Sequence, residues 1–237
     1  MSSITDNPVI LRLGETFSFF RAYARDIASF LLYATFPVII IENFLSYYAA
    51  VYELSPEIKS IPIFIHFIYQ PIYTGGLIFM ISRLVSGETW SVKESLLVGL
   101  GCWLNLLVVN VISSVLIILG LLAFIVPGLV IFARLSLAEF GVVLERRSPL
   151  DALTHSNRIT NRFTWQIVGS VVLLSALLIG VKILINIIIA TFSLKHLFVF
   201  MISELIIIIL WSNLTILLFR YYGLTTKAYQ PNDIQAA

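Results

Sequence analysis

"IVPGLVIFARLSLAEFGVVLERRSPLDAL", residues 125–153, decides how this chain is read. It opens apolar, meets Pro127-Gly128, and then sets Arg134 and Glu139 inside a run otherwise suited to hydrocarbon. It closes on Glu145-Arg146-Arg147 followed by Ser148-Pro149. The apolar region around it, 96–144, is too long for one helix and must be divided. A residue before proline is pushed out of the α region, and glycine tolerates the turn that follows. Pro127-Gly128 is therefore preferred over Gly120 as the turn between two membrane spans. The later span is then 129–145, at about 25 Å by helical rise the short end of what crosses a bilayer.

Composition points the same way. Of 237 residues, 59% are hydrophobic and 12% charged, against roughly a quarter charged in a soluble domain. There is too little polar surface to coat a globule. The expected fold class is all-α, a polytopic membrane protein with spans near 27–50, 61–84, 103–126, 129–145, 165–192 and 197–221. Pro37 is expected to bend the first. Domain organisation follows: a cytoplasmic segment 1–26, a six-helix transmembrane domain 27–222, and a cytoplasmic tail 223–237. Charged residues interrupt 1–26 too often for a cleaved signal peptide, so the first span is expected to remain as an anchor. Cys102 is the only cysteine, which excludes an intrachain disulfide.

Lysine and arginine set the orientation. Eleven fall on the side of the N-terminus: Arg12, Arg21, Arg25, Arg83, Lys93, Arg146, Arg147, Arg158, Arg162, Arg220 and Lys227. Lys59 and Lys195 fall on the other side, and Arg134 and Lys182 within spans. Both termini are therefore expected in the cytoplasm. On that side three interfacial helices are expected, at 9–27, 91–101 and 148–159, each before an odd-numbered span. The layout reads as a threefold pseudo-repeat of surface helix plus transmembrane hairpin. Ser91 with Glu94 forms a capping box, and Ser148, Pro149 and Asp151 form a favourable helix start.

The run "VPGLVIFARLSLAEFGVVLERRSPLDALTHSNRITNRFTWQ", 126–166, resembles the YciC-like family of bacterial inner-membrane proteins. It is also similar to the membrane portion fused to some glycerophosphodiester phosphodiesterases. Pro127-Gly128, Arg134 with Ser136, the helix with Ala152, Leu153 and Ser156, and Trp165 carry the resemblance, as does the opening "LGETFSFFRAYARDI". Glu139 departs from it, standing where the family often has proline. The resemblance implies an inner-membrane location and an envelope or lipid context, without an established reaction.

No HExxH, paired CxxC or glycine-rich phosphate loop is present, so no catalytic, cofactor-binding or metal residue is assigned. His66, His155 and His196 are too dispersed to share a metal, and His66 is read as an interhelical hydrogen-bonding group. The informative residues are ionisable groups inside apolar runs, each costing roughly 2.5–3.5 kcal/mol at mid-bilayer unless partnered. Counting depth by helical rise puts Glu42, Arg134, Lys182 and Glu204 in the outer half, and Glu139 towards the cytoplasm. The first four are expected to form a buried cluster, either a salt-bridge network registering the helices or the wall of a binding cavity. Ser175, Lys182, Asn186 and Ser193 share a stripe on span five, and Arg134, Ala138 and Gly141 a face of span four. Arg146, Arg147, Arg158 and Arg162 are candidate contacts to anionic headgroups.

The reading is a non-enzymatic inner-membrane protein, lipid-interacting or scaffolding, in envelope or phospholipid homeostasis. Its partners are membrane phospholipids and not nucleic acid. The alternative is a small transporter or exporter of an amphipathic or charged solute.

Overall fold

The computed structural model describes residues 8–191 and 197–229. Ser193, Lys195 and His196 lie outside the described residues, as do most of the expected tail and the first seven residues. Nine helices follow one another among the described residues. They are α1 (Pro8–Val51), α2 (Pro56–Lys59), α3 (Ile61–Ser86), α4 (Val92–Ala123), α5 (Ile125–Leu135), α6 (Ala138–Glu145), α7 (Pro149–Ile159), α8 (Thr164–Thr191) and α9 (Leu197–Tyr229). Six helical stretches are long and apolar enough to cross a membrane, α5 and α6 together making the fourth. The architecture is all-α and polytopic, as expected.

The interfacial helices differ from expectation. Only α7 stands alone, started by Ser148, whose hydroxyl accepts from the Asp151 amide at 3.3 Å. The expected N-terminal helix is present but ends earlier, at a kink at Tyr23, where φ is −114° and ψ is 19°, and the first span follows directly within α1. Backbone angles stay helical at Pro37, where the bend was expected. The stretch 91–101 is simply the start of α4, because nothing after Ser91 breaks the helix. Half of its capping box forms: Ser91 Oγ accepts from the Glu94 amide at 3.2 Å. The Glu94 carboxylate turns instead to Arg83, 3.0 Å away.

The turn between spans three and four lies at Phe124, extended at φ −167° and ψ 159°, rather than at Pro127-Gly128. Proline in the first turn of a helix loses no hydrogen bond, so Pro127 starts α5 instead of ending α4. Gly128 is needed for closeness. A Cβ on it would lie 2.5 Å from the Leu121 side chain, and one on Gly120 would lie 2.9 Å from Gly128 Cα. Span four also breaks internally, between Leu135 and Ala138, where a continuous helix was expected.

Lipid cannot hydrogen-bond a freed carbonyl, so neighbouring helices must. In the turn before Pro71 and the turn before Pro37 a neighbouring side chain donates to a carbonyl beside the one the proline frees. Trp103 Nε1 donates to Ile68 O at 2.7 Å, ahead of Pro71. The Tyr69 hydroxyl donates to Ala34 O, ahead of Pro37. Small residues let α3 and α4 touch backbone to backbone, as membrane helices do without a hydrophobic force between them. A Cβ at Gly99 would sit 2.1 Å from Ile72 O. Gly101, two residues on, has open space around it.

Gly99→Ala should therefore lower the thermal stability of the detergent-purified protein by about 1–3 kcal/mol or more. Gly101→Ala should be neutral or slightly stabilising through helix propensity. Equal effects of the two would contradict the α3–α4 seam.

Candidate functional site

A cavity of about 1080 Å³ lies inside the bundle, and all six spans line it. From α1 come Glu42, Asn43 and Ser46; from α3, His66, Gln70, Tyr73 and Thr74. From α4 come Asn110, Ser113 and Ser114. The broken fourth span gives Ser136 and Glu139, α8 gives Lys182 and Asn186, and α9 gives Ser203, Glu204, Ser212 and Thr215. The spacings explain the convergence. His66, Gln70, Tyr73 and Thr74 lie on one helical stripe, and Asn110, Ser113 and Ser114 on another. Leu31, Leu77, Phe132 and Trp211 complete the wall with apolar surface.

Three of the four expected cluster residues, Glu42, Lys182 and Glu204, line this cavity. Arg134 does not. It ends α5, with its guanidinium 3.1 Å from Asn161 Oδ1 and 3.5 Å from Asn157 Oδ1, both at α7 or just beyond it. Glu139, placed towards the cytoplasm by counting depth, lines the cavity in its stead. The reason is angular. Arg134 and Ser136 are two residues apart, about 200° around a helix, so only one of them can face inward. Depth along an axis does not say where a side chain points.

The carboxylates meet neutral donors. Asn43 Nδ2 donates to Glu204 Oε2 at 2.5 Å. Asn110 stands beside Glu139 and also donates to Gln70 Oε1 at 3.3 Å. Glu42 faces His66, Oε1 to Nδ1 3.4 Å, an ion-pair contact between α1 and α3 where an interhelical hydrogen bond was expected of His66. That long contact leaves Glu42 Oε1 buried and short of a hydrogen bond. Among the described residues no lysine or arginine comes within ion-pairing distance of Glu42, Glu139 or Glu204. The expected salt-bridge network is therefore not formed there. On the span-five stripe, Lys182 and Asn186 face the cavity, Ser175 does not, and Ser193 lies outside the described residues.

The break in span four is held by α7. Buried Ser156 donates its hydroxyl to Arg134 O at 2.7 Å and accepts from the Leu137 amide at 3.2 Å. Thr160 adds a second donor to Arg134 O at 3.3 Å. Gly141 faces Arg147 and Ala152 of α7 with room for a Cβ at ordinary contact distance, so no close approach depends on it. Of the four basic headgroup candidates, Arg147 is engaged by Glu145 at 2.5 Å, while Arg146, Arg158 and Arg162 are exposed. Beside them on α7, burial, reinforced by Arg147, holds His155 below the ordinary histidine range.

Ser156→Ala should cost about 1–3 kcal/mol in thermal or denaturant unfolding, because it orphans the Leu137 amide and leaves Arg134 O only the longer bond from Thr160. Arg134→Ala should be non-additive with Asn161→Ala. With Glu204→Ala it should add within about 0.5 kcal/mol, since the two share no partner. Strong coupling between Arg134 and Glu204 would restore the four-residue cluster.

Comparison of the chain with protein-family profiles, with curated proteins and with solved structures returns no match.

Proposed function

We propose that this chain is a non-enzymatic, multi-pass protein of a bacterial inner membrane that carries an amphipathic or charged solute through its central cavity. The observation behind this reading is a cavity that receives polar groups from every span, where among the described residues no lysine or arginine pairs with Glu42, Glu139 or Glu204 and only His66 approaches an acid. A network built only to register helices would pair each carboxylate with a cation, since an unpaired buried charge is strongly destabilising. Many membrane carriers build a midplane site at a broken span, and here Leu135, Ser136 and Glu139 of the broken fourth span line the cavity. The eleven-to-two distribution of lysine and arginine supports cytoplasmic termini. The resemblance of 126–166 to the YciC-like family supports the inner membrane.

A second reading, a lipid-interacting or scaffolding role in phospholipid homeostasis, is favoured by a different observation. Arg146, Arg158 and Arg162 are exposed around α7, where anionic headgroups would be attracted at roughly 1 kcal/mol per residue.

Native mass spectrometry of gently purified protein separates the two. The carrier reading expects a retained amphipathic solute that is lost when the cavity is filled by Ser113→Trp. The lipid reading expects a retained phospholipid that survives Ser113→Trp and is lost in Arg158→Gln with Arg162→Gln. Retention of no solute in either protein would count against the carrier reading.

A further inference from the structure

Resting on the cavity as the binding site, we propose that its ligand is an amphipathic organic cation. The lining carries three carboxylates, Glu42, Glu139 and Glu204, against one lysine, Lys182, and one histidine, His66. Asn43 donates to a Glu204 oxygen but cannot cancel its charge. In surroundings of low dielectric the remaining negative potential is strong and long-ranged. A positively charged guest relieves it. Among the described residues Ser113 Oγ is buried in this lining without a hydrogen-bond partner, and Glu42 Oε1 has only the long contact with His66.

The geometry selects an organic cation over a metal ion. Among the described residues no three acidic, histidine or cysteine side chains converge closely enough to hold a metal. The acids are spread over a space of about 1080 Å³, the size of sites for drug-sized molecules. Tyr73, Phe132 and Trp211 supply aromatic surface to the same wall, and aromatic faces attract desolvated cations. An apolar body with a positive centre satisfies both halves of this lining. Amphipathic anions satisfy only one.

Equilibrium binding of labelled tetraphenylphosphonium to the full chain in nanodiscs tests this, with tetraphenylborate as a probe of the same shape and opposite charge. Empty nanodiscs provide the background, and melting curves without probe check folding. The cation should bind saturably and at least about tenfold more tightly than the anion. Glu139→Gln and Glu204→Gln should each weaken cation binding by about tenfold. Lys182→Gln should strengthen it, an outcome that no folding defect produces. Saturable binding of tetraphenylborate as tight as that of the cation, abolished by Ser113→Trp, would overturn the cation inference and keep the cavity as a site. Cation binding indifferent to Glu139, Glu204 and Lys182 would place the probe elsewhere and also overturn it. Saturable binding of neither ion would overturn both the inference and the carrier reading.

Discussion

The hydroxyl of Ser156 serves both sides of a gap in the fourth span. It donates to the last carbonyl region of α5 at Arg134 and accepts the amide of Leu137 at the start of α6. Broken backbone within a bilayer costs several kcal/mol per unsatisfied group unless the protein supplies partners. With Ser156 and Thr160 in place the break persists, and its consequence is directional. Ser136 and Glu139 turn inward, while Arg134 is left on the α7 side with Asn157 and Asn161. The polarity of the cavity therefore depends on a helix that lines none of it. Movement of α7 would reach the cavity through two hydrogen bonds.

The rest of the bundle fixes what faces that break. Contact of α3 and α4 at Gly99 sets these helices close together, with Tyr73 and Thr74 of one and Asn110 of the other facing the cavity. Tyr69 and Trp103 restrain the two proline-bearing helices from the side. Near the arginine-rich end, Trp90 donates to Asp26 at 3.2 Å and Arg220 lies over the Phe19 ring at 5.3 Å. These contacts tie the N-terminal half of α1 to the same frame. The lining is thus held by backbone packing and hydrogen bonds from α3, α4 and the N-terminal half of α1.

The six spans were legible because hydrocarbon imposes one requirement on every residue of a span, and no local choice overrides it. The helix starts at Ser91 and Ser148 were legible for a similar reason, since a side-chain cap acts within three residues. The turn was not, because Pro127 reads equally well as the end of one helix or the first turn of the next. Packing of Gly120 on Gly128 decided it, and that is a contact between helices. The site was legible in part. Intramembrane charge identified Glu42, Lys182 and Glu204, but depth counting exchanged Arg134 for Glu139. Polar stripes were the neglected signal: the rule applied to Lys182 and Asn186 also marks His66, Gln70 and Tyr73, and Asn110 with Ser113. The break at Ser136 left no local mark, because its partner, Ser156, is twenty residues further along.

The central claim is that a polar, cation-favouring space runs inside the bundle rather than a dry core. Cysteines placed singly at Ser113, Ser136 and Asn186, in a Cys102→Ser background, test it by their rates of reaction with water-soluble methanethiosulfonate reagents. All three should react, and faster with the cationic reagent than with the anionic one, while cysteines at the exposed apolar positions Leu119 and Leu184 should stay inert. Inert cysteines at all three lining positions, or a faster reaction with the anionic reagent, would contradict it.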